Sequence, residues 1–160
     1  MRYPKAMVLA LATVVAAMPL AGQDPAALND LEMAHVAVTA SDIDIRYAHL
    51  ALALSSDADV RGFAETMIRD HSAVNAQVAA LAKRLGVTAQ DNAMSRGLRA
   101  EAEKVTGRLA GLRGKAFDQA YLRNELAYHE LVNGVVEKSF VPNIEHAEVK
   151  AAFQAALGIF

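Results

Sequence analysis

The segment from Ala58 to Leu85 carries an apolar residue at every third or fourth position, with His71 as the one polar exception. Because an α-helix has 3.6 residues per turn, this spacing places all of these residues on one side of a long helix. Gly86 follows directly and is typical of a helix C-cap. The segment therefore predicts an amphipathic helix that must bury one side against other helices. That side consists of Val60, Phe63, Met67, His71, Val74, Val78, Leu81 and Leu85.

The remaining sequence predicts further helices with short connections. They span about 31–54, about 88–112 with Thr88 as N-cap, and about 115–141 with Pro142 as the stop, followed by a last helical segment, "EVKAAFQAALGIF". No run of alternating β-branched residues indicates a strand. The chain is thus predicted to be all-α, an up-and-down four-helix bundle with an additional C-terminal helix, forming one domain over residues 31–160. Its many alanines predict close packing of the helices without a cleft.

The amino terminus has the layout of a secretory signal peptide. Arg2 and Lys5 precede an apolar run over 6–20, and small residues follow at Ala21 and Gly22. The run is shorter than the roughly 20 residues of a membrane-spanning helix. We therefore predict a signal peptide over 1–22, a linker over 23–30, and no transmembrane segment after cleavage.

Cysteine is absent from the sequence, which excludes disulfides, thiolate metal sites and attachment of a lipid through a thiol. An exported, periplasmic protein without a lipid anchor fits this composition best. The formal net charge of −2 and the lack of a basic cluster argue against a nucleic-acid partner. The partner stays open, with an envelope protein as one candidate.

His71 is the one polar residue in the apolar seam of the second helix. It lies within about 40° of Met67 on a helical wheel, so it is predicted to point into the core. Asp70 lies about 100° away from it, so the two side chains cannot reach one point from a regular helix. We expect Asp70 to sit at the edge of the seam and to pair with a neighbouring helix.

The fourth predicted helix places Asp118, Glu125 and His129 near one line. The candidate ligands of one Zn, Mn, Fe or Cu ion are Glu125 and His129, together with Asp44 of the first helix and His71 of the second. The interpretation we favour needs no cofactor. In it, His71 is a core histidine that hydrogen-bonds to Asp44, Asp118 or Tyr121, within a buried polar network. General-base catalysis by a histidine near Asp118 is the least favoured alternative, because no nucleophile or oxyanion pattern accompanies it.

The stretches "VRGFAETMIRDHSAVN", "LAKRLGV" and "KAFDQAYLRNELAYHE" resemble the bacterial secreted proteins known as domain of unknown function 4142. The resemblance spans about residues 31–160 and implies export and a ferritin-like helical bundle, but no established reaction. Two departures from the family are Asp44, where a glutamate is common, and the end at Phe160, where a histidine-bearing helix end is usual. A paired Glu-x-x-His set, as in di-iron proteins, does not occur.

These observations predict an exported helical-bundle protein that is a non-enzymatic envelope or stress-associated factor. The alternative is a transition-metal-binding bundle with a site of histidines and carboxylates between its helices. The two interpretations differ in whether His71 meets His129 and Glu125 around a cation or is satisfied by protein groups alone.

Overall fold

The computed structural model describes residues 23–160, so the predicted signal peptide over 1–22 lies outside the described residues. Five helices make up most of this range, and it contains no strand, which confirms the all-α prediction. The helices are α1 (Asp30–Leu54), α2 (Ala58–Leu85), α3 (Ala93–Ala110), α4 (Gly114–Val135) and α5 (Ala147–Ile159).

The ends of α1 and α2 follow local capping chemistry. Asn29 caps α1 in a capping box with Glu32, and the Asp57 side chain accepts hydrogen bonds from the first backbone N–H groups of α2. Gly86 ends α2 in the left-handed conformation, with φ of 67°, that glycine adopts without a steric penalty. The predicted bounds of α1 and α2 are therefore right to within one residue.

The predicted start of α3 at Thr88 is wrong. Asn92 is the N-cap, and its side chain accepts a hydrogen bond from the backbone N–H of Ser95 at 3.0 Å. The residues between Gly86 and Asn92 are instead tied to the first turns of α1, because the Gln90 N–H donates to the Leu31 carbonyl at 3.0 Å. Because the backbone of this segment is hydrogen-bonded to α1, its residues stay outside α3.

The fourth predicted helix has the expected extent but changes its winding. Regular α4 ends at Val135, a π-helical turn follows over Val136–Phe140, and one further helical turn, Val141–Asn143, leads to the connection before α5. Pro142 lies in that last turn, where its missing N–H costs no hydrogen bond. The helical path therefore ends just after Pro142.

Helix α1 lies at the centre of the arrangement, since it packs against α2, α3 and α4. Its buried side includes Met33, Ile43 and Tyr47, and the Tyr47 ring meets Tyr128 of α4 edge to face at 5.9 Å. Helix α5 packs against α2 and the π-helical turn. This packing gives α1, α2, α4 and α5 access to a common interior region.

Candidate metal centre

Three helices each direct one ionisable side chain to the same place in the interior. Asp44 comes from α1, His71 from α2 and His129 from α4, and one ligand atom from each lies within 4.8 Å of the others. The closest measured pair is His71 Nε2 and Asp44 Oδ2, at 3.5 Å. Asp44 and His71 are each only 3% exposed. The prediction that His71 points inward is confirmed, and the His71 and His129 ring centroids lie 5.6 Å apart.

The tautomer of His129 follows from its hydrogen bond. Its Nδ1 lies 2.9 Å from the backbone carbonyl oxygen of Glu125, one turn earlier on α4. A carbonyl oxygen can only accept, so Nδ1 must carry the hydrogen. In the neutral ring the lone pair is therefore on Nε2, the nitrogen available to a cation.

His71 is held in a similar way by a residue of α1. Ser41 Oγ lies 2.8 Å from His71 Nδ1, and both residues are buried. Burial, followed by the nearby His129, lowers the pKa of His71 to about 4, so the ring is neutral at pH 7. The Ser41 hydroxyl can accept from Nδ1–H or donate to Nδ1, so this contact holds the ring in either tautomer, with Nε2 facing Asp44.

Sequence reasoning missed Ser41. It precedes Asp44 by three residues, a spacing that places both side chains on one face of α1. That spacing was the available signal, and it becomes specific only when the register of α1 against α2 is known.

Glu125 lies beside Asp44 but does not belong to the group of three. Burial, and then the neighbouring Asp44 carboxyl group, raise the pKa of Glu125, and burial raises the pKa of Asp44. Two adjacent buried carboxyl groups cannot both ionise readily, so without a cation one of them holds a proton that it shares with the other.

The centre of the site contains polar atoms without partners. Within residues 23–160, no hydrogen-bond partner exists for Asp44 Oδ1, His71 Nε2 or either carboxylate oxygen of Glu125. Buried polar atoms are nearly always paired in native proteins, because an unpaired one loses its hydration without compensation. A proton on one carboxyl group can join the two carboxylates. His129 still offers the lone pair of its Nε2.

The predicted core network of Asp70, Asp118 and Tyr121 does not form around His71. Asp70 binds Arg69 of its own helix at 2.7 Å, so the expected partner on a neighbouring helix is wrong. The reason is that the adjacent guanidinium reaches the carboxylate without any tertiary contact.

Tyr121 is fully buried, yet its hydroxyl finds no partner in the described part of the chain, and neither does Asp118 Oδ1. The Tyr121 ring packs against Phe117 and Phe63. His71 instead uses Ser41, so the expected bonds from His71 to Tyr121 and Asp118 are wrong, and only its predicted approach to Asp44 is found.

Phe160 closes the site on the side of α5. Its ring stacks on the His71 ring with centroids 4.0 Å apart and planes 7° from parallel. Beside it lies a cavity of about 110 Å³ whose wall includes Asp44, His71 and His129 together with apolar side chains of α1, α2 and α5. The close packing predicted from the alanine content is therefore wrong at this place.

The fold and the site together define an all-α protein with a buried histidine–carboxylate cluster between its helices. The family model for the domain of unknown function 4142 (DUF4142) matches residues 15–160, and the chain belongs to that family. No curated protein and no solved structure matches the chain. Over residues 23–160, no helix is both long and apolar enough to cross a membrane.

Proposed function

We propose that this protein binds one transition-metal ion through Asp44, His71 and His129. The supporting observation is that three different helices bring three ligand atoms within 4.8 Å of one another in a buried site. The Nδ1 atom of each histidine contacts a protein oxygen outside the cluster, at Ser41 for His71 and at the Glu125 carbonyl for His129. Metal-binding histidines are usually held in this way by their second nitrogen.

The ligand set suits a divalent transition metal. Two neutral imidazoles and one carboxylate are ligands of Zn(II), Mn(II), Fe(II) and Cu(II), and a set of three leaves coordination positions open. Ligands at about 2.1 Å from a tetrahedral ion lie roughly 3.4 Å apart, close to the 3.5 Å between His71 Nε2 and Asp44 Oδ2. The His129 ligand atom then needs a shift of up to about 1.4 Å, because the three ligand atoms lie within 4.8 Å of one another. Glu125, next to Asp44, is the candidate for a fourth ligand once it loses its proton.

The setting we propose for this binding is the periplasm. Arg2, Lys5 and the apolar run over 6–20 support export through a cleaved signal peptide. The central α1 and its contacts with three other helices are compatible with a ferritin-like four-helix bundle to which α5 is added. We further propose a binding role in the envelope rather than catalysis, as the lack of a nucleophile or oxyanion pattern in the sequence suggests.

The test is metal content and metal-dependent stability of the mature protein purified from the periplasm. We expect about one metal ion per chain by elemental analysis. We also expect stabilisation by about 2.7 kcal/mol at a free metal concentration one hundred times the Kd. His71→Gln and His129→Gln should each abolish both effects.

His49→Gln is the matched control, because His49 lies exposed on α1. It should bind metal as the unchanged protein does. A protein that carries no metal, and whose melting temperature ignores Zn, Mn, Fe and Cu, would refute the proposal in favour of a hydrogen-bonded core.

A further inference from the structure

Among the five helices of residues 23–160, α5 is the one that lines the cavity at the metal centre without supplying a proposed ligand. The cavity wall is built from α1, α2, α4 and α5, and α3 does not reach it. The proposed ligands Asp44, His71 and His129 come from α1, α2 and α4. A movement of any of those three helices would take the ligand set apart. Helix α5 can move away from the cavity and leave the ligand set intact.

The end of α5 covers the two histidines. The Phe160 ring stacks on His71 with centroids 4.0 Å apart and meets the His129 ring edge to face at 6.4 Å. Asp44 and His71 are each 3% exposed, so an ion in solvent has no direct access to their ligand atoms. It can reach them only after a covering group has moved, and Phe160 is the side chain that lies against both rings.

The apolar attachment of α5 to the rest of the molecule is incomplete. Phe153 is the one buried residue of α5, whereas α3 buries six. Val149, Ala156 and Leu157 line the cavity of about 110 Å³ and stay half-buried. Elements with few buried apolar contacts open at a lower free energy than the whole domain. We therefore expect α5 to open while the central helix α1 stays folded.

The polar contacts of α5 are concentrated at its first turn. Asp30 of α1 accepts hydrogen bonds from the backbone N–H groups of Glu145 and His146, at 3.0 and 2.8 Å. Glu148 pairs with Arg84 of α2 at the surface, where ion pairs contribute little to stability. Within residues 23–160, no hydrogen bond or ion pair joins α5 beyond Glu148 to another helix. The helix is thus held at its first turn, and its far end rests on apolar contacts.

We propose that α5 is a lid on the metal centre. It pivots about the connection that precedes it, where Ile144 is buried and Asp30 holds the backbone. In the closed position the Phe160 end covers the histidines, and an ion enters and leaves only while that end is displaced. This inference rests on the proposed metal site. Because uptake and release pass through the same opening, a weakened lid should speed both by one factor and leave the Kd unchanged.

The experiment weakens α5 and follows three rates. Leu157 is half-buried on α5 and is not a proposed ligand. Truncation in Leu157→Ala removes the burial of between one and two methylenes, each worth about fourfold in an equilibrium constant, so the open state should become about five- to tenfold more populated. Zinc uptake, zinc release to a chelator and hydrogen exchange of the α5 amides in the metal-free protein should all speed up by that factor.

Leu52→Ala is the matched control. Leu52 is half-buried on α1, packs against the core and does not line the cavity. Its truncation should lower stability in urea unfolding and leave α5 exchange and both zinc rates unchanged. If Leu52→Ala speeds zinc exchange as much as Leu157→Ala does, ions enter through general unfolding, and α5 is not a lid.

The two proposals fail in different ways. If the unchanged protein binds no zinc, the proposed function itself is wrong. If zinc binds and Leu157→Ala speeds the hydrogen exchange of α5 but neither zinc rate, only the lid is wrong. Hydrogen exchange of the unchanged, metal-free protein decides the question even if Leu157→Ala does not fold, because α5 amides as well protected as those of α1 would overturn the lid.

Discussion

Replacing Ser41 by Ala tests the hydrogen bond on which the orientation of His71 depends. The bond is 2.8 Å long, and both residues are buried, at 5% and 3% exposure. Loss of the hydroxyl leaves Nδ1 of His71 without a partner in the interior. Such a buried unsatisfied group costs about 1–3 kcal/mol. In the metal-free protein we therefore expect Ser41→Ala to lower the free energy of unfolding by about that amount.

The same substitution should weaken metal binding. Partners that hold the second nitrogen of a metal-binding histidine are worth about 10- to 100-fold in affinity. Urea unfolding in the presence of a chelator measures the first effect, and competition of zinc against a chromogenic chelator measures the second. Because Ser41 itself is no ligand, a loss of affinity reports the orientation of the ring.

Ser72→Ala is the matched control, since Ser72 lies exposed beside His71 on α2. It should alter neither measurement beyond about 0.5 kcal/mol, the usual range for surface substitutions. If Ser41→Ala unfolds at the same urea concentration as Ser72→Ala and binds zinc equally well, Ser41 does not hold the His71 ring.

Three further predictions concern other parts of the molecule. Gly86→Ala should destabilise the protein by about 1–2 kcal/mol in urea unfolding, because the φ of this residue is 67°. Gly62 lies within α2 with open space around it, so Gly62→Ala should stabilise the protein by about 0.5–1 kcal/mol. Hydrogen bonds from a serine hydroxyl and two guanidinium groups lower the pKa of Asp91. The contribution of Asp91 to stability is therefore present above about pH 4 and lost as the pH falls further. In thermal unfolding, the stability deficit of Asp91→Asn should shrink over that range. Phe160→Ala should speed metal release to a chelator about three- to tenfold, because the ring no longer covers His71, and an unchanged release rate would contradict this role.

Local features of the sequence were sufficient for most of the fold. The bounds of α2 follow from the cap at Asp57, the apolar seam and the left-handed Gly86, all of which act within a few residues. The inward direction of His71 followed from the same periodicity. The start of α3 could not be predicted locally, because contacts with α1 keep the residues before Asn92 out of the helix.

The candidate site was only partly predictable. Wheel geometry turned His71 and His129 inward and left Asp44 at the margin of its apolar stripe, but it contains no information on how far one helix is shifted along another. Ser41 and Phe160 reach His71 only in the register that the tertiary packing fixes. The cavity beside His71 was missed for a related reason, since alanine content permits close approach of helices but does not enforce it.

The way hydrogen bonds are distributed in the cluster distinguishes a ligand site from a structural polar network. A network that fixes the register of a bundle pairs its donors with its acceptors inside the core, because each unpaired group costs stability. Here the Nδ1 atoms of His71 and His129 contact oxygen atoms outside the cluster, and Asp44 Oδ1, His71 Nε2 and both Glu125 carboxylate oxygens have no partner within residues 23–160. Apolar side chains at these positions would stabilise the core better than unpaired polar atoms. Unpaired polar atoms gathered at one point are therefore explained by the cation they can bind and not by the stability of the fold.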